Sequence, residues 1–66
     1  MNFKIEFERE EDGRWIAEIS DLPGVMAYGA TQSEAEAAVE ALALRVIADR
    51  IEAKKVGQKT ISFATA

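Results

Sequence analysis

Cysteine and histidine are both missing from this 66-residue chain. Without cysteine there is no disulfide framework and no thiolate metal site. Without histidine the commonest general base and neutral metal ligand are gone, and with them Ser-His-Asp, Cys-His and most zinc chemistry. One proline and four glycines leave little material for loops, and the glycines form neither a P-loop nor a dinucleotide fingerprint. Cations are scarce: eight against twelve acids, for a net charge of −4. Such a chain is repelled by a nucleic-acid backbone unless its cations gather on one face. The one concentration, Lys54, Lys55 and Lys59, reads as the basic end of a helix. Long apolar runs are also absent. Residues 35–53 are interrupted by Glu36, Glu40, Arg45, Asp49, Arg50 and Glu52, too many charges for a bilayer span. The N-terminus is charged from Lys4 and has no signal-peptide core. These features predict a soluble protein of a reducing compartment, the cytoplasm.

What is present is globular in kind. Hydrophobic residues make up 48% and charged residues 30%, so the expectation is one domain over residues 1–66. A chain this short buries only about 60% of its unfolded surface, which keeps its core thin. Residues 2–9 alternate, with Phe3, Ile5 and Phe7 on one face and Asn2, Lys4, Glu6 and Glu8 on the other; this is a half-buried strand. Asp12-Gly13 marks a hairpin turn, because glycine accepts positive φ. A return strand follows over about 14–20, with Trp15, Ala17 and Ile19 on one face and Ile16 and Glu18 on the other. Leu22 to Val25 suits a type II turn, with Pro23 setting φ and Gly24 accepting a positive one. A third strand spans about 25–29. Thr31-Gln32-Ser33-Glu34 is a capping box, the Glu34 carboxylate reaching back to the Thr31 N–H. The helix it opens runs over 32–54, and Gly57 is its stop. A last strand is expected near 59–63. The fold class is α+β in the order β-β-β-α-β: a three-stranded antiparallel meander plus a last strand, with one long helix on the sheet. A right-handed crossover lays the last strand parallel to the first; a swap onto a second chain is the alternative.

The helix carries two apolar stripes. At about 100° per residue, Ala35, Ala38, Val39, Leu42 and Val46 share one side. Ala37, Ala41, Leu44, Ala48 and Ile51 share the other, with Ile47 beside them. A helix on one small sheet buries a single face. The expected core therefore takes Leu42 and Val46 together with Phe3, Ile5, Phe7, Trp15, Ala17, Ile19, Ile61 and Phe63. The second stripe, centred on Leu44, Ile47, Ala48 and Ile51, is expected to meet a second copy in a dimer or higher oligomer.

Nothing in the inventory points to catalysis. Glu8, Glu10, Glu11 and Asp12 form an acidic run at a hairpin tip, which reads as a solvated turn, and Glu36 and Glu40 as a solvent face. The serines and threonines have no base to activate them, and the lysines have no apolar setting to depress a pKa. No cofactor, metal or catalytic residue is expected. Trp15, Tyr28 and Phe63 are stacking platforms in principle, but on strands they read as core.

The stretch EEDGRWIAEISDLPGVMAYGAT, followed by QSEAEAAVEALAL, resembles the HicB antitoxin family over about residues 3–50. The shared pattern is Asp12-Gly13, the aromatic Trp15, Ile16-Ala17-Glu18, Asp21-Leu22-Pro23-Gly24, then Gly29 and Thr31 before the acidic, alanine-rich helix from Glu34 to Ala43. The resemblance implies a partial, degenerate ribonuclease H-like unit without catalytic carboxylates. It also implies a partner, the small basic HicA-type messenger-RNA interferase, held inactive by direct contact. Longer family members carry a C-terminal DNA-binding domain; no such domain precedes Ala66, so direct DNA binding is not expected. The expected contact is the rigid turn Asp21, Leu22, Pro23 and Gly24 with Glu18 nearby. The alternatives are an orphan homo-oligomeric scaffold and a degenerate nuclease or ligand-binding protein. A neighbouring gene for a small basic protein separates the first reading from the scaffold. A spatial cluster of acids is what the nuclease reading requires.

Overall fold

The computed structural model describes residues 1–54 and 60–65. It contains β1 (Asn2–Arg9), β2 (Trp15–Glu18), β3 (Met26–Gly29), α1 (Gln32–Lys54) and β4 (Ser62–Thr65). The sheet order is β3-β2-β1-β4. The meander is antiparallel, and β4 lies parallel beside β1 of the same chain. The fold is therefore α+β, a four-stranded mixed sheet with one long helix over it. The helix is about 34 Å long at 1.5 Å per residue, which makes the molecule elongated at 42 × 18 × 16 Å. No described helix is long and apolar enough to cross a membrane.

Local chemistry explains each turn. The Gly13 N–H donates to the Glu10 carbonyl at 2.9 Å, and the Glu10 N–H to the Arg14 carbonyl at 2.8 Å. With Gly13 at φ 91°, this is a three-residue hairpin loop closed by a left-handed glycine. Asp12 ties the loop, accepting from the Arg14 N–H at 3.0 Å and from Arg14 Nε at 2.7 Å. Those bonds, the backbone one first, hold the Asp12 carboxyl below its ordinary pKa. The next turn is the expected type II: Val25 N–H donates to the Leu22 carbonyl at 3.0 Å, and Gly24 sits at φ 82°.

The helix cap differs in one bond from the capping box. Thr31 Oγ1 accepts from the Glu34 N–H at 3.1 Å, but Glu34 Oε2 accepts from Ala30 N–H at 3.0 Å, one residue earlier than Thr31. The chain doubles back sharply here, because β3 ends directly under the start of α1. A Cβ on Gly29 would lie 2.4 Å from the Ala35 nitrogen. Gly29 is therefore required by close approach.

The core corrects the expected helix face. The buried line on α1 is Ala35, Val39, Ala43 and Ile47, each four residues apart. An i±4 row winds about 40° per step around the helix and is inclined to its axis. A helix seated along that row turns its later residues progressively inward. Ile47 thus lies in the core at 2% exposure and is not available for a contact with a second copy. Ile51 is also packed against the core, and Leu42 and Val46 are half-buried at its margin. Phe3, Ile5, Ala17 and Ile19 are buried as expected; Phe7, Trp15, Ile61 and Phe63 pack around them. Leu22 and Val25, which flank the type II turn, are buried too. That placement removes Leu22 from the expected partner contact.

The last strand falls later than expected, at Ser62–Thr65, and Lys59 and the Gly57 stop lie outside the described residues. Its position is set by pairing: Phe63 is in register with Phe3, their ring centroids 5.9 Å apart. The N-terminal ammonium donates to the Thr60 carbonyl at 2.6 Å, and Ser62 N–H to the Met1 carbonyl at 2.9 Å.

Two outcomes follow for stability. Gly29→Ala lowers unfolding free energy by about 1–3 kcal/mol in a urea titration, through the clash with the helix start. Ile47→Ala costs about 2–5 kcal/mol, whereas Leu44→Ala, at 45% exposure, shifts the same titration by only about 0.5 kcal/mol.

Candidate protein-docking face

The helix covers one side of the sheet and leaves the other to solvent. Strand alternation places Lys4, Glu6 and Glu8 of β1, Ile16 and Glu18 of β2, and Met26 and Tyr28 of β3 on this open side. Register then aligns them in rows. Glu6 stands opposite Glu18, and Glu18 opposite Met26; Glu8 stands opposite Ile16, and Ile16 opposite Tyr28. A shallow depression of about 240 Å³ sits among Glu6, Glu8, Glu10, Glu18, Ile16 and Met26. Its rim is carboxylate and its floor includes aliphatic side chains.

Like charges directly opposite on antiparallel strands are destabilising, and Glu6 faces Glu18 in that way. Glu6 has one polar partner, Ser20 Oγ, which donates to Oε1 at 2.9 Å. No described cation pairs with Glu6, Glu8, Glu10 or Glu18; the ion pair present is Asp12 with Arg14. Arg14 also lies over the Tyr28 ring, 4.6 Å from its centroid, so that cation is held at the hairpin end of the face; Lys4 stands on the same face of β1, two residues before Glu6. Met26 and Tyr28 are 43% and 47% exposed.

The residues expected at a contact divide. Glu18, Asp21, Pro23 and Gly24 are exposed, and Glu18 is central to the acidic face. Leu22 is buried and anchors the turn from beneath. Glu6, Glu8 and Glu10 were not expected at the contact. The signal for them was the alternation of β1, which puts Glu6 and Glu8 on the solvent side; only the strand register brings Glu18 to them. Of the expected self-contact stripe, Leu44 and Ala48 remain exposed while Ile47 and Ile51 pack inward.

Among the described residues no group of three or more acids converges to hold a metal ion, and no polar side chain is buried. Comparisons with family models, curated proteins and solved structures return no match.

The opposed carboxylates carry a measurable cost. Glu18→Lys replaces a like pair with an opposite one and stabilises the fold by about 0.2–1 kcal/mol at low salt. In molar salt the gain shrinks, because exposed charges are screened within about 3 Å. Chemical denaturation at the two ionic strengths reads both effects.

Proposed function

We propose that this chain is a HicB-like antitoxin-type binding module of the cytoplasm, built on a partial ribonuclease H-like unit. Its partner is a small basic messenger-RNA interferase of the HicA type, neutralised by direct contact with no catalysis by this chain. The observation that carries the reading is the open sheet face, where Glu6, Glu8, Glu10 and Glu18 surround Ile16 and Met26 with no described cation paired to them. A protein that keeps Glu6 opposite Glu18 bears a stability cost that a basic partner relieves. The aliphatic floor supplies area for a contact centre, and the acids supply steering and register. Asp21, with the rigid Pro23-Gly24 turn, extends the same charge beyond the end of β2. An interferase must hold an RNA backbone, so its working surface is basic; covering that surface blocks the substrate sterically and electrostatically.

The test is co-expression with a small basic protein encoded beside this chain. The pair copurifies, the partner alone arrests growth and cleaves messenger RNA, and the complex does neither. Glu6→Lys with Glu18→Lys weakens the complex by about 2–5 kcal/mol while the free domain melts no lower than wild type. Asp21→Lys has a smaller effect, mainly on association rate. Rescue that survives charge reversal across the whole face overturns the reading.

A further inference from the structure

The sheet has an edge at β3. The Ile19 N–H donates to the Val25 carbonyl at 3.1 Å. Antiparallel pairs alternate between bonded and non-bonded. With Ala17 opposite Ala27 and Trp15 opposite Gly29, it follows that Val25, Ala27 and Gly29 turn their backbone groups toward β2. Met26 and Tyr28 turn theirs outward. Among the described residues nothing bonds to them there. Exposed edges are normally blunted by shortness, charge, proline or a bulge; β3, Met-Ala-Tyr-Gly, is short at four residues but has no charge or proline, so a pairing there is small and weak enough to form reversibly.

We propose that two copies of this chain join β3 to β3 across a two-fold axis at Ala27, making one continuous eight-stranded sheet. An antiparallel pairing centred there sets Met26 opposite Tyr28 of the second copy, and Tyr28 opposite its Met26. These are the residues whose N–H and C=O groups point outward, so each pair exchanges both N–H···O bonds. On the open face the thioether of each methionine meets an aromatic ring, a favourable contact. On the helix side Ala27 meets Ala27, and Gly29 faces Val25 of the second copy; the small residues Ala27 and Gly29 leave room for the strands to close.

The charge pattern selects a second copy as the occupant. Across the joined sheets one row reads Glu6, Glu18 and Met26, then Tyr28, Ile16 and Glu8 of the second copy. Each acid of β1 and β2 stays on its own side of an apolar strip, and no carboxylate meets another across the axis. The strip merges Ile16, Met26 and Tyr28 of both copies, so side chains that are 43% and 47% exposed in one chain become central. A two-fold contact of this kind closes at two chains. Pairing β3 with β4 of the next molecule would instead run on as an open polymer. The inference does not depend on the basic-partner reading.

Sedimentation velocity on the full chain, from low micromolar to millimolar concentration, tests it. Wild type sediments at twice the 7.2 kDa chain mass, and the Met26 and Tyr28 amides gain hydrogen-exchange protection as the dimer fills. Met26→Lys with Tyr28→Lys opposes two lysines at both pairs and raises the dissociation constant about tenfold or more. Met26→Lys with Tyr28→Glu opposes unlike charges in the proposed register and restores the dimer. Leu44→Glu leaves it intact. Circular dichroism confirms that each variant is folded. A wild-type monomer throughout the range overturns the proposal. So does a dimer lost in Leu44→Glu but kept in the double lysine variant, growth beyond two chains, or a folded Met26→Lys with Tyr28→Glu variant as weak as the double lysine one. Addition of polylysine separates the two surfaces: binding to the acidic face keeps or raises the β3 amide protection, whereas loss of that protection means the edge takes a basic strand and overturns the self-pairing.

Discussion

The close seat of α1 on β2 and β3 governs the rest of the molecule. Where β3 ends, there is no room for even one Cβ between Gly29 and the Ala35 nitrogen. Ala17 and Ala27 are paired on the helix side of the sheet, and Ala35 and Ala43 are fully buried on the helix. Small residues on both surfaces bring the helix near the sheet. The branched side chains of Ile5, Ile19, Val39 and Ile47 then fill the remaining space. Dispersion falls off steeply with a gap, so a thin core gains most from closeness rather than from bulk. The cost is sensitivity: a single added methyl at Gly29 forces the helix start away from the strand it crosses.

Seating α1 on one side also determines what the other side must be. An antiparallel sheet tolerates water on one face, and here that face has Lys4 and two acids on β1, Glu18 on β2 and apolar side chains on β2 and β3. A purely structural surface would alternate charge sign across the strands, since opposed unlike pairs add stability. Glu6 opposite Glu18 does the reverse. Ser20 satisfies one oxygen of Glu6 but supplies no positive charge. The arrangement makes sense as a surface whose charge is completed from outside the chain, which is what the proposed partner supplies.

Much of this fold is legible in the sequence, and the misses have specific physical origins. Phe3-Ile5-Phe7 alternation, Asp12-Gly13, Pro23-Gly24 and the Thr31–Glu34 pair each specify a local geometry by themselves, and each element they mark is present. The helix face differs from the expected one because a count at about 100° per residue treats the helix as lying straight along a flat surface. The actual contact follows the inclined row Ala35, Val39, Ala43 and Ile47, which brings Ile47 inward from the stripe that pattern alone assigns to a second copy. Leu22 was placed on the surface because it stands inside a turn motif, yet the turn's own hydrogen bonds to Ile19 and Val25 fold it under. The acidic face was half legible: alternation gives the side of the sheet, whereas only strand register tells which acids become neighbours across it.

Met26 links the two surfaces of the sheet. It lines the acidic depression and stands on the β3 edge. In the self-paired sheet the ring of the second copy's Tyr28 packs beside it and limits its rotamers, so the depression is ordered before any basic partner arrives. Ordering a flexible side chain in advance removes part of the entropy lost on docking. Joining two chains of charge −4 also doubles the charge behind the field that draws a cation inward, most strongly at low salt. The proposed edge pairing and the proposed partner binding would therefore reinforce one another without sharing a hydrogen bond, one using the β3 backbone and the other the carboxylates of β1 and β2.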